Sequence, residues 1–171
     1  MTFDEYQTAA SRTLHTSLSH GEALASYALG SIGEVGELSE LFIAGDVPAR
    51  KVIDEGGDVC WYLAALATTL SVPLSRIATI DEANIHRYRS LGGRDLAVGL
   101  TLSAARICER VKKQVYHEKT CDIVGALGET MARVLTLAED RGVTFREIAE
   151  FNIAKLKRRY EHGFTTGGGT R

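Results

Sequence analysis

Two acidic pairs, Glu34-x-x-Glu37 and Glu55-x-x-Asp58, fall on the apolar sides of what read as two successive helices. An i,i+3 spacing puts both carboxylates of a pair on one helix face. Glu34 then shares its side with Tyr27, Leu38 and Leu41, and Glu55 with Val59, Tyr62 and Leu66. The run from Tyr27 to Phe42 is apolar or small on nearly every side, as in an interior helix. Four acids turned toward a core repel one another and lose hydration, so they need raised pKa values or a cation. A hard divalent ion that prefers carboxylate oxygens, Mg²⁺ with Mn²⁺ as a substitute, resolves this most simply. Glu34, Glu37, Glu55 and Asp58 are the candidate ligands. The plainer alternative is an amphipathic bundle with charged outer faces, since a quarter of the residues are charged.

At 171 residues the chain suits one domain with a sizeable core. Two prolines, long helical periodicities and no Val/Ile/Thr-rich alternation predict an all-α fold. A net charge of −2 gives no reason to expect nucleic acid or a membrane surface as partner. No signal peptide and no apolar run long enough to span a bilayer are visible. Cys60, Cys108 and Cys121 are widely spaced without a CxxC, so buried thiols in a reduced, cytoplasmic protein are expected.

Thr2 to Glu5 reads as a capping box that opens a helix to about His15. After a polar break at Ser17–Gly21, a long helix runs to about Ala44 through Gly30, Gly33 and Gly36. Glycines at that spacing imply close approach by another helix or a ligand. Gly45 to Pro48 end this helix and start a third, which reaches about Leu70. A fourth is expected from Val72-Pro73 to near Arg89, before a linker at Leu91-Gly92-Gly93.

The second half echoes the first. Val143 to Ala149 mirrors Val72 to Ala78, and the same offset sets Leu137 on Leu66, Gly128 on Gly57 and Glu129 on Asp58. After a small length change, Gly99 falls on Gly30 and Glu109 on Glu40. The expectation is a tandem duplication: an acidic unit at 22–90, a degenerate basic unit at 94–162, and a flexible tail at 163–171. Ser103, Arg106 and Ala126 stand where Glu34, Glu37 and Glu55 stand, so the second unit lacks the acids for such a site. It supplies cations instead, namely Arg106, Lys112, Lys113, Lys155, Lys157, Arg158 and Arg159. Acids for a metal beside cations for phosphate oxygens suit a metal-bound polyphosphate.

Gly33-Glu34-Val35-Gly36-Glu37-Leu38 with Glu55-Gly56-Gly57-Asp58-Val59-Cys60-Trp61-Tyr62-Leu63 resembles the ExxE…ExxD signature of the MazG-like all-α nucleoside triphosphate pyrophosphohydrolases. Asn152 to Tyr160, followed by Gly163-Phe164, is similar to the NxxKLxxRYPxGF ending of that family, with Glu161-His162 at the proline position. Lys112-Lys113 with Tyr116-His117 is similar to its lysine pair. The motifs are split, acids in the first half and basic motifs in the second. Ile43 and Ala44 stand at the lysine-pair positions of the first half, and Asn84, Arg87 and Tyr88 keep only part of the later motif.

The resemblance implies a helical bundle folded as a single-chain pseudo-dimer, itself expected to form a homodimer. It implies Mg²⁺-dependent hydrolysis of a nucleoside or deoxynucleoside triphosphate to monophosphate and pyrophosphate, as housekeeping of nucleotide pools. Glu37, Glu55 and Asp58 would hold the metal, and Glu34 would activate water. Trp61, Asn84, Lys112, Asn152, Lys155 and Arg159 are the candidate substrate contacts. Two other readings compete. A ferritin-like di-iron bundle needs Glu-x-x-His, and none of the five histidines follows a glutamate by three. A non-catalytic nucleotide sensor or structural helical protein would have little reason to keep four carboxylates on apolar faces.

Overall fold

Helical starts and stops in this chain follow from local side chains. A computed structural model describes residues 1–45 and 47–160, and these form α1 (Phe3–Ser11), α2 (His20–Ala44), α3 (Ala49–Thr69), α4 (Leu74–Thr79), a 3₁₀ turn at Glu82–Asn84, α5 (Ile85–Arg89), α6 (Gly93–His117), α7 (Ile123–Asp140) and α8 (Phe145–Arg159). The fold is all-α, with no strand among the described residues. Reciprocal capping boxes open α1 at Thr2/Glu5, α2 at Ser19/Glu22 and α8 at Thr144/Glu147. Gly45, with φ of 94°, closes α2 in the left-handed region that glycine tolerates. The expected tail at 163–171, together with Glu161-His162 and Gly163-Phe164, lies outside the described residues.

Two boundaries differ from expectation. α1 stops at Ser11 rather than near His15, because the Thr13 hydroxyl bonds back to the Ala10 carbonyl and the His15 N–H donates to the Tyr27 hydroxyl. The helix expected from Val72-Pro73 to Arg89 is three short pieces. Its break is made by Asp81, a buried carboxylate that accepts from the Asn84 amide at 2.6 Å and from the Tyr88 hydroxyl. Aspartate side chains that bond to groups just downstream compete with the helical ladder.

α2 runs along α6, and α3 packs on α2 and on α7. α8 lies across α3, while α4 and α5 lie across α7, and α1 closes on α3, α4 and α8. The core is one cluster spanning both halves, including Leu38, Val59, Leu63, Leu66, Leu100, Ile107, Leu127 and Leu137. Of the cysteines, Cys60 is buried and its thiol is pushed up to about 12 by burial, while Cys108 and Cys121 are half-buried; all three are free. Among the described residues no single helix is long and apolar enough to cross a membrane.

Gly30 explains how α3 approaches α2. A Cβ at this position would sit 2.1 Å from the Tyr62 ring, so the ring lies directly over the helix backbone. Gly33, one turn on, would meet nothing within 4 Å. Gly30→Ala should therefore destabilise the protein by about 1–3 kcal/mol through overpacking. Gly33→Ala should instead stabilise it by roughly 0.5–1 kcal/mol, because helical glycine loses more backbone entropy than alanine. Urea denaturation of the two variants checks this pair. Equal effects of the same sign would show that Tyr62 does not rest on Gly30.

Candidate metal centre

The geometry of α2 against α3 decides where the acids go. Glu34 and Glu37 are one turn apart on α2, and Glu55 projects from the facing turn of α3. One carboxylate oxygen from each lies within 4.8 Å of the others. Glu34 and Glu55 are partly buried and Glu37 is exposed, so the cluster sits at the rim of the helix pair rather than inside the core. Lys51 reaches Glu55 only at 3.9 Å, and itself stands mostly in solvent.

Asp58 is one turn beyond Glu55 and is held differently. One of its oxygens accepts from the Asn152 amide at 3.1 Å and the other from the Lys155 ammonium at 2.5 Å. Lys155 also bonds Asp54 at 2.8 Å, so α8 lays one cation between two acids of α3. Gly57 permits this closeness, since a Cβ there would lie 2.9 Å from that of Asn152. Asn152 is fully buried, and its amide oxygen accepts from the Tyr6 hydroxyl at 2.8 Å.

Crowding shows in the proton affinities. Glu34 is pushed up from an ordinary 4.5 to about 7, first by burial and then by the charges of Asp58, Glu37 and Glu55. Burial also raises Glu55, with Asp54, Glu37 and Asp58 adding to it. Asp58 lies above its ordinary value because burial outweighs the Lys155 bridge. Burial pulls Lys155 down, yet its bonds to Asp54 and Asp58 prevail and hold it above normal.

The predicted site residues divide into those gathered here and those placed elsewhere. Glu34, Asp58, Trp61 and Arg159 line one open pocket of about 150 Å³, with Thr13, Tyr62, Leu156 and Tyr160. Glu37 and Glu55 border a wide shelf on its other side. Trp61 donates its indole N–H to Thr13 at 2.8 Å and meets Tyr27 and Tyr62 edge-to-face, so much of its ring is committed to packing. Asn152 and Lys155, expected to face phosphate, turn to Asp58 instead. Asn84 and Lys112 are not brought to the cluster. Asn84 is tied to Asp81 in the break between α4 and α5. Lys112 pairs with Glu109 at 2.5 Å and lines a separate apolar groove of about 470 Å³ between α2 and α6. Lys113 also pairs with Glu109, at 3.2 Å.

In the second half Arg106 bridges Glu129 at 2.6 Å, and Arg133 approaches the same carboxylate at 3.7 Å. Sequence reasoning missed Tyr6, Asp54 and Arg133. Asp54 was visible as an acid one helical turn before Asp58, whereas nothing near Tyr6 in the sequence marks it out from a core residue of α1. Compared with family models, with characterised proteins and with solved structures, the chain matches none.

Three converging carboxylates with one raised to about 7 suit a hard divalent ion, because a cation would supply the charge that Lys51 does not. Without added metal, the raised Glu34 has a definite linkage sign. The folded state holds a proton that the unfolded state has released between about 4.5 and 7, so this contribution is present below 4.5 and lost as pH rises through 7. In chelator, the melting temperature should fall between pH 5.5 and 8. After discounting for solvent screening the loss is ~1 kcal/mol, or roughly 2–4 °C at this size. Glu34→Gln should flatten the profile. A wild-type melting temperature that is level or rising over this interval would contradict the crowding argument.

Proposed function

We propose that the chain is a Mg²⁺-dependent nucleoside triphosphate pyrophosphohydrolase of the MazG-like kind. The observation that carries this reading is the convergence of Glu34, Glu37 and Glu55 within 4.8 Å, beside a pocket that also holds Arg159. Glu37 and Glu55, with Asp58 held alongside, would bind the metal, and Mn²⁺ could replace it. Bound Mg²⁺ would supply polarisation of phosphate oxygens and neutralisation of their developing charge. Glu34, poised near 7, suits a general base that takes a proton from water. The water oxygen joins phosphorus, the bond between the α- and β-phosphates breaks, and monophosphate and pyrophosphate leave. Arg159 is exposed at the pocket mouth and suits the phosphate tail. Lys155 and Asn152 serve Asp58 first, which changes their expected part from holding substrate to shaping the acid site.

The internal duplication belongs to the same reading. α2 and α6 are both 25 residues long, and α3 crosses α8 as α7 crosses α4 and α5. Gly30 lies under Tyr62, and Gly99 lies under Arg133, with a would-be Cβ 3.2 Å from its Nε. Both members of the second pair occupy the duplicated positions of the first. On this reading Arg106 and Glu129 form the second unit's counterpart of the acid site, with a guanidinium in place of a metal. The exposed Leu29, Val98, Leu102 and Tyr116 on α2 and α6 support the proposed homodimer by offering an apolar face.

A panel of ribo- and deoxynucleoside triphosphates, with pyrophosphate and phosphate release measured separately, tests the reading. Pyrophosphate should appear only with Mg²⁺ or Mn²⁺. Glu34→Gln should cut turnover by about 100-fold or more while nucleotide affinity stays close to wild type. Glu129→Gln should leave turnover nearly unchanged. Absence of pyrophosphate with every nucleotide, or equal losses from both substitutions, would sink the proposal.

A further inference from the structure

The buried polar chain behind Asp58 begins outside both repeated units. Tyr6, on α1, is fully buried, and its ring meets Phe145 of α8 edge-to-face at 5.7 Å. Its hydroxyl donates to Asn152 Oδ1 at 2.8 Å and stands 3.3 Å from the Gly57 carbonyl. Asn152 Nδ2 in turn donates to Asp58 at 3.1 Å. An ionised carboxylate only accepts, so the amide must present its nitrogen to Asp58. Rotated by half a turn, it would set oxygen against oxygen at Asp58 and leave the Tyr6 hydroxyl only the longer bond to the Gly57 carbonyl as donor. The carboxylate therefore sets which way the amide points, and the phenol holds its oxygen end in place. Burial holds the Tyr6 pKa well above its ordinary value, so the hydroxyl keeps its proton.

We propose that Tyr6 is a positioning residue that acts through Asn152 to hold the Asp58 carboxylate in place beside the acid cluster. The inference rests on the reading that the cluster binds a divalent cation, though not on the chemistry that follows. It gives α1 a part that its amphipathic pattern alone does not show. Groups that orient the ligands of a metal are worth about 10–100-fold in affinity.

The test is a double-substitution cycle on the full chain, read by calorimetric titration with Mg²⁺. Tyr6→Phe keeps the ring and removes only the hydroxyl, and should weaken Mg²⁺ binding about tenfold. Asn152→Ala should weaken it at least as much. Because Tyr6 acts through Asn152, the double variant should bind no worse than Asn152→Ala. Unchanged affinity in Tyr6→Phe, or losses that add in the double variant, would overturn the proposal, as would a wild-type protein that binds no Mg²⁺. Mg²⁺ binding without pyrophosphate release would leave the relay standing and remove the hydrolase reading. Should Tyr6→Phe not fold, the wild-type Asn152 side-chain amide decides by NMR. Protection from exchange with a Mg²⁺-dependent shift supports the relay; a freely exchanging amide insensitive to Mg²⁺ overturns it.

Discussion

Of five carboxylates on two adjoining helices, Asp54 and Asp58 take the Lys155 ammonium between them, while Glu34, Glu37 and Glu55 converge alongside. Like charges brought close repel one another unless a counter-charge stands between them. Lys155 answers for Asp54 and Asp58; among the described residues the other three have only the exposed Lys51, 3.9 Å from Glu55. By lying across α3, α8 delivers both Lys155 and Asn152 to the acids. Gly57 is the position that lets the two helices come near enough. The remaining acids open onto solvent at the rim, where an ion with its waters has room.

The second half settles the same kind of problem within the protein. Glu129 keeps company with Arg106 and Arg133, so its charge is matched by side chains. Ser103 takes a hydroxyl bond from Thr130 at 3.1 Å, a neutral contact that asks for no ion. One chain thus shows an acid-rich corner that lacks counter-charge and a mixed corner that has its own. The two corners differ in whether side chains or solvent face the acids.

Much of the fold was legible because its signals are local. The capping box at Thr2, Gly45 beyond α2, and the i,i+3 acids all act within one or two turns. The meeting of Glu34, Glu37 and Glu55 also followed from helix faces. Gly30 was rightly read as a point of close approach, while Gly33 and Gly36 face open space. Legibility ended where partners are distant in the chain. The Lys155 bridge to Asp58 spans 97 residues, and the bond from Tyr6 to Asn152 spans 146. Spacing on one helix says nothing about which residue of another will arrive. Lys155 and Arg159 were both candidate substrate contacts, yet the former is drawn inward by two acids and the latter stays exposed. Asp81 was missed for a related reason. Its neighbours keep a helical pattern, and only the buried carboxylate with its Asn84 and Tyr88 bonds diverts the chain.

The central claim is that the acids at the rim of α2 and α3 hold a divalent cation. Anomalous diffraction from crystals grown with Mn²⁺ locates such an ion directly. The account predicts a peak among the three carboxylates, within roughly 2–2.5 Å of Glu37 and Glu55 oxygens as hard-cation coordination requires, with Glu34 facing the ion's water. A peak elsewhere, or none at this rim with the three carboxylates pointing apart, would contradict it.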